Sequence, residues 1–589
     1  MPRLRVATAI AKTLESAGTP FCFAFNGHGN WALLDAFVHE TSIRTIAARS
    51  EDQAVHMADC YWRMKRQPPI AVVTTSVGPG NANITPAVAT AFFESSALLV
   101  LAGGGATQWQ ERGGIEEFYR YGPDEWASSL KTMTKKSIMV TRPDTALEMV
   151  LRAYKTAVSG RPGPVVVQIP FDIQHTEIEL DHLPDLAEWT KVSAPGPDPD
   201  AIAEAAEMIA ASHRPLLVVS SGVHNARAWD ELRALAEDYS IPVETSVAAK
   251  GALPEDHPMS LGCVGRAGTG QANQAARECD VLIGIGTRFG DIDTGGWTLH
   301  DIPGRTKLIH IDVDSEELAR VYPTQLAIVS DARLALSALN AEMARRPQAN
   351  RGSWHDRLRE LRQRWKQEVA PLKSSPAVPL TYGRVFADAS IVINQVDPGA
   401  SVLFDTGHAL SFGPAFLDAH SRYYIHSSFF HRMGWSVSGL VGAKMARPDH
   451  AAIAFVGDGS FIMGGTAVCT AVEQGLGMVF VVLDNRSLQI ERELMLRTYG
   501  RHALTDYVRV SDGQPFGPDF VIWAKAMGAR GLKVVKPEEI GPAVREALSA
   551  ADGPVVLDVE IDRESPGYRA IHYRYPGDFA DRGLEHPPF

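Results

Sequence analysis

The segment FVGDGSFIMGGTAVCTAVEQGLGMVFVVLDNRSLQ, residues 455–489, sets an acid between two glycines at the end of one apolar run and an Asn at the end of the next. The runs AAIAFV and GMVFVVL are short, continuous and rich in branched side chains, the pattern of strands buried on both faces of a parallel sheet. Asp458 and Asn485 lie 485 − 458 = 27 positions apart, enough for one crossover between parallel strands. Both residues then reach the carboxyl edge of the sheet, where such folds bind ligands. The GDGS turn opens a helix, and its backbone N–H groups suit an anion. An isolated GDG is as readily a plain turn and a DN pair a strand-end cap, but their spacing and flanking strands favour a site. Two oxygen ligands beside a phosphate-binding turn describe a hard divalent cation completed by phosphate, carbonyl and water oxygens. Magnesium on a diphosphate is the natural occupant.

Outward from this segment, strand-like runs alternate with longer helical patterns along all 589 residues, which predicts α/β architecture with doubly wound parallel sheets. A chain this long predicts several domains, since single cores stop growing near ~250–300 residues. Three blocks are visible. The first contains PIAVVTTSVGPG, SALLVLAGG and PVVVQIPFD and spans residues 1–190, ending at the Pro-rich SAPGPDPD. The second, residues 195–345, holds PLLVVSSG, VLIGIGTRFG and KLIHIDVD. A charged segment of helical spacing, 346–378, reads as a linker to the third block, 379–562, and the aromatic stretch 563–589 follows. The net charge of −12 and the lack of any Lys/Arg run argue against a nucleic-acid partner. Five scattered cysteines without C-x-x-C spacing predict reduced, buried thiols. The N-terminal stretch reads as an amphipathic helix, not a signal peptide, and no run approaches the ~18 apolar residues of a membrane span. A cytoplasmic location is the expectation.

The 455–489 arrangement resembles the magnesium and diphosphate motif of thiamine diphosphate (ThDP) enzymes, in particular the acetolactate synthase and pyruvate oxidase group. The resemblance implies three domains in the order pyrimidine, central and diphosphate. It implies metal ligation by Asp458, Asn485 and the main-chain carbonyl of Ser487. Gly457, Gly459 and Ser460 would line the diphosphate, joined by Gly407 and His408 of FDTGHALSF. The family also carries a first-domain Glu that engages the cofactor's aminopyrimidine ring. TIAARSEDQAVHMADCYWRMKRQPPIAVVTTSVGPGNAN, residues 45–83, matches that segment and places Glu51 there, with Asp52 as a neighbour and Ser76 in the following turn. HRMGWSVSGLVGAKMARP resembles the part beneath the thiazolium, so Met433 would hold the cofactor bent and the carbonyl near His431 would accept from the aminopyrimidine. Because the family builds each site from two subunits, the resemblance implies a homodimer at least, with homotetramers frequent. The central domain resembles the part that binds FAD or ADP in some relatives, which makes a nucleotide there an expectation of the same kind.

These expectations concern making or breaking a C–C bond next to a carbonyl of a small molecule. After the metal turn, LQIERELMLRTYGRH reads as a helix with Glu491 or Glu493 facing the pocket, and Glu491 is the preferred proton shuttle. That acid favours a 2-hydroxyacyl-CoA lyase, a CoA thioester being its substrate. An acetolactate-type carboligase or 2-oxo acid decarboxylase is the alternative. A cyclic 1,2-dione hydrolase is a third, because GHGN around His28 resembles those enzymes and makes His28 a catalytic candidate. Acetolactate synthases have a Gln after a Phe in the loop where this chain has Tyr119 after Phe118, a departure that counts against them. Tyr568, His572, Tyr573, Tyr575 and Phe579 mark a tail expected to dock, as a lid or as an interface.

Overall fold

The computed structural model describes residues 3–117 and 125–570. Phe118, Tyr119, His572, Tyr573, Tyr575 and Phe579 therefore lie outside the described residues. The fold is α/β, with three six-stranded sheets, parallel throughout. Their central strands, such as Pro164–Pro170 and Met478–Asp484, are apolar runs buried along their whole length, as crossover helices on both faces require. All five cysteines are free and four are buried. No helix among the described residues is long and apolar enough to cross a membrane.

The first sheet runs in the order Arg44–Ala47, Phe21–Ala24, Val72–Thr75, Leu98–Gly104, Pro164–Pro170, Lys136–Met139. The third runs Tyr424–Ile425, Ser401–Phe404, Ala452–Gly457, Met478–Asp484, Pro554–Glu560, Arg530–Val534. By rank in the chain both have the order 2-1-3-4-6-5. The middle sheet instead has the order 3-2-1-4-5-6, from Ser260–Cys263 through Pro215–Val219 to Leu326–Val329. In the two outer sheets the winding reverses between the first and third strands, which opens a crevice at their carboxyl ends. Gly407 and Asp458 follow those two strands of the third sheet; His28 and Ser76 follow the equivalent pair of the first.

The described residues form two compact units. One takes the residues up to Ala194 together with Phe429–Pro448 and Gly464–Leu476; the other takes Pro195–Ser428, Asp449–Met463 and the residues from Gly477 onward. Two helical segments of the expected third domain thus belong with the first sheet. Helix Trp435–Ala446 lies against helix Glu51–Lys65. The approach is close because Gly442 has no side chain: a Cβ there would fall 1.9 Å from the Met57 carbonyl oxygen. The Trp435 indole donates to buried Asp59 at 2.7 Å, and the Gln53 amide donates to Thr466 at 2.8 Å. In the second unit the expected linker contains a 22-residue helix, Gly352–Lys373. Its buried Trp354, Leu358, Leu361, Trp365 and Val369 form one stripe that joins the cores of the middle and third sheets.

Candidate active site

In the second unit, strand Ala452–Gly457 runs straight into helix Asp458–Gly464. Asp458 is buried, 4% exposed, and each of its oxygens takes a main-chain N–H: Oδ1 from Gly459 and Oδ2 from Arg486, both at 2.6 Å. The second bond reaches across to the turn after strand Met478–Asp484, so Asp458 and Asn485 are brought together as their spacing predicts. Arg486 has φ 57°, and this left-handed step lets the Ser487 N–H return to the Asn485 Oδ1 at 2.9 Å. The Asn485 Nδ2 donates to the Tyr382 hydroxyl at 2.5 Å. The Ser487 hydroxyl donates to the Thr505 carbonyl and to Asp506. Arg563 closes the turn from outside, with Nε donating to the Asn485 carbonyl and Nη2 to the Arg486 carbonyl, each at 3.1 Å.

Burial, with the nearby Asp484 charge adding to it, pushes the Asp458 carboxyl up to about 7 against three N–H groups that pull it down. Its neighbours are a carboxamide and main-chain carbonyls, a hard-oxygen set suited to magnesium. Among the described residues no cluster of three or more His, Cys, Asp and Glu forms an alternative metal site. Gly457 and Gly407 face open space, since a Cβ on either meets nothing within 4 Å, and Gly407 has φ 81°. Buried Ser460 completes this edge. The residues fit a magnesium diphosphate group.

His408 begins helix His408–Phe416, buried against the Tyr382 ring at 4.9 Å between centroids. Its Nε2 lies 2.8 Å from Glu493 Oε1, and Nδ1 lies 3.3 Å from Ser411 Oγ. Burial alone would raise the Glu493 carboxyl, but the His408 contact and the Gly567 N–H hold it below the usual range. Helix Gln489–Tyr499 therefore turns Glu493 inward, whereas Glu491 is exposed. Each helical residue advances about 100°, so positions two apart stand on nearly opposite faces. The beginning of the tail docks on the second unit: the Tyr568 hydroxyl donates to the Gly268 carbonyl at 2.8 Å, and its ring packs on Phe412, Phe416 and Trp365.

Glu51, in the first unit, is the first residue of its helix and is buried. Its Oε2 accepts from the Asn83 amide at 3.0 Å, and a Cβ on Gly80 would come within 3.0 Å of its Oε1. Asp52 points elsewhere, held by Arg432 at 3.0 Å and by the Ser50 hydroxyl. Ser76 is buried beneath the GHG loop: Gly29 N–H donates to its hydroxyl at 3.3 Å, and a Cβ on Gly27 would fall 2.3 Å from it. His28 Nδ1 lies 3.4 Å from Glu116 Oε2. Asn30 ties the loop together by accepting from Gly27 N–H and donating to the Phe25 carbonyl. Met433 and His431 are half-buried just before helix Trp435–Ala446, with His431 at φ 52° and the Met433 carbonyl accepting from Arg432.

Three models of thiamine pyrophosphate enzyme domains match in order: the N-terminal TPP binding domain over residues 4–122, the central domain over 202–339 and the C-terminal TPP binding domain over 405–559. The chain is 31% identical to a probable acetolactate synthase large subunit of Methanocaldococcus jannaschii, over 95% of this chain and 92% of that protein. The chain belongs to the thiamine pyrophosphate enzymes. It is also 29% identical to the acetolactate synthase large subunit of Corynebacterium glutamicum, over 96% of this chain and 88% of that one. With the acetolactate synthase isozyme 1 large subunit of Escherichia coli it shares 28%, over 97% and 96%. It is therefore a ThDP-dependent enzyme of the acetolactate synthase and pyruvate oxidase superfamily acting on small molecules, with its N-terminal, middle and C-terminal sheets as the family's three domains. Tyr382, Asn83 and Arg563 carried no motif and were not visible as site residues in the sequence. Only the placement of Asn83 three positions past the GPG turn, at the end of the matched segment 45–83, hinted at a role.

Proposed function

We propose that this enzyme is a carboligase of the acetolactate synthase type: it decarboxylates one 2-oxo acid and joins the remaining acyl fragment to the carbonyl carbon of a second. The balance is two 2-oxo acid anions and one proton in, one 2-hydroxy-3-oxo acid anion and one carbon dioxide out. Near full-length likeness to acetolactate synthase large subunits carries the reading. The same likeness favours it over the 2-hydroxyacyl-CoA lyase, whose expected shuttle, Glu491, points to solvent. Magnesium at Asp458, Asn485 and the Ser487 carbonyl, a homodimer as minimum assembly and a nucleotide on the middle domain belong to this proposal.

When bound, the cofactor supplies a nucleophilic carbon and a ring that accepts the electrons freed by decarboxylation. Glu51 Oε1, beside Gly80, would hold the proton exchanged with a bound aminopyrimidine, while Asn83 fixes the carboxyl's orientation. Asp458 and Asn485 would hold the metal, Gly407 and Gly457 leave room for a diphosphate, and Met433 would lie against the cofactor's thiazolium side. His28, with Glu116 3.4 Å from its Nδ1, would serve as the proton donor to a substrate oxygen.

The test is product analysis of the enzyme loaded with ThDP and magnesium. Incubated with pyruvate and with longer 2-oxo acids, it should release carbon dioxide and form a 2-hydroxy-3-oxo acid, read by mass spectrometry. Formyl-CoA and an aldehyde from a 2-hydroxyacyl-CoA would replace this reading with the lyase; a ring-opened acid from a cyclic 1,2-dione would replace it with the hydrolase.

A further inference from the structure

We infer that Tyr382 and Arg563 form an outer clamp that sets how tightly the metal is held, although neither is a ligand and neither belongs to the metal motif. The inference rests on the reading of Asp458, Asn485 and Ser487 as the metal site. Asn485 can serve a cation only through its carboxamide oxygen, and a carboxamide rotated by half a turn presents hydrogens instead. The Tyr382 hydroxyl removes that ambiguity. It accepts from Nδ2 at 2.5 Å and so commits the oxygen to the side of the turn where the Ser487 N–H and Asp458 lie. Tyr382 is itself immobile: 2% exposed, at the start of helix Tyr382–Val396, with its ring against His408 and stacked on Phe412 at 5.2 Å.

Arg563 does for the backbone what Tyr382 does for the side chain. Its guanidinium spans the carbonyls of Asn485 and Arg486 and so leaves the carbonyl of Ser487 as the one of the three that it does not occupy. It also stands 3.5 Å from Asp506, whose other oxygen accepts from the Ser487 hydroxyl at 2.9 Å. The left-handed residue Arg486 is thus pinned on both sides. Arg563 follows the last strand, Pro554–Glu560, by three residues, which gives the chain beyond that strand a purpose at the site. Outer partners of this kind orient metal ligands, and losing one costs roughly 10–100-fold in affinity.

The test measures metal affinity directly. Mn2+ is titrated into the ThDP-saturated protein and the free ion followed by electron paramagnetic resonance, with Mg2+ calorimetry in parallel. Tyr382→Phe and Arg563→Gln should each raise the metal dissociation constant roughly 10–100-fold, with the metal-free thermal midpoint unchanged. Glu546→Gln, which alters an exposed pair with Arg530, should bind as the parent does. Wild-type affinity in both clamp variants overturns the inference, as does a fall in the metal-free midpoint that accounts for the lost affinity. Asp458→Ala separates the two levels: if it too binds Mn2+ normally, the metal site itself is misplaced and the clamp falls with it; if it abolishes binding while the clamp variants bind normally, only the clamp falls.

Discussion

Glu51 and Asp52 are adjacent acids at the start of one helix, and their surroundings divide the work between them. Asp52 is held by Arg432 and Ser50, while Glu51 accepts from the Asn83 amide and has Gly80 beside its other oxygen. Glu51→Gln should therefore lower turnover about 10²–10⁴-fold, the usual worth of a positioned proton donor or acceptor, while ThDP still quenches tryptophan fluorescence. Unchanged turnover would remove Glu51 from the proton path. Glu117 offers a second test, on stability. Burial raises its carboxyl from 4.5 to about 7 despite the Gly105 N–H, so between those values the folded state keeps a proton that the unfolded chain has released. Its contribution to stability must then fall as pH rises through that window. Glu117→Gln cannot ionise, so its thermal midpoint relative to the parent should climb between pH 5 and pH 8; a constant difference would refute the assignment. At this scale the sequence was legible where a motif spoke, as at Asp458 and Asn485. It was silent where orientation decides: Glu491 and Glu493 are indistinguishable by residue type, and only the phase of their helix turns one of them to His408.

Elements were more legible than residues, because strand and helix patterns are local. The runs chosen as strands in all three blocks are strands, and the helical spacing of 346–378 corresponds to helix Gly352–Lys373. The partner of helix Glu51–Lys65 could not be seen, since its match with Trp435–Ala446 joins segments almost four hundred residues apart through one missing side chain and one indole. That contact gives a sharp expectation. Gly442→Ala puts a methyl against the Met57 carbonyl, a backbone atom that cannot step aside, and should cost about 1–3 kcal/mol as overpacking does. Gly553→Ala, where nothing lies within 4 Å, should stay within about 0.5 kcal/mol of the parent. Urea denaturation of the two variants decides it, and equal midpoints would mean the helices do not meet this closely in solution.

At the scale of the molecule, strand order was the part the sequence withheld, because it is set by contacts between segments far apart in the chain. The two outer sheets share one strand order, 2-1-3-4-6-5. It places the candidate residues Glu51, His28 and Ser76 at the carboxyl edge of the first sheet and the candidates Asp458, Asn485 and Gly407 at that of the third. The proposal that each working site takes Glu51 from one subunit and Asp458 from another can be tested by complementation. Glu51→Gln and Asp458→Ala homomers should both be inactive. In a mixed dimer with a two-fold axis, one site inherits both lesions and the other inherits neither. Random re-association of equal amounts should therefore restore about a quarter of parental activity, half the dimers being mixed and each carrying one intact site. If both halves of a site come from the same chain, every site in the mixture keeps one lesion. No activity then returns, however long the subunits are allowed to exchange, and mass spectrometry of the mixed dimers would show that exchange had occurred.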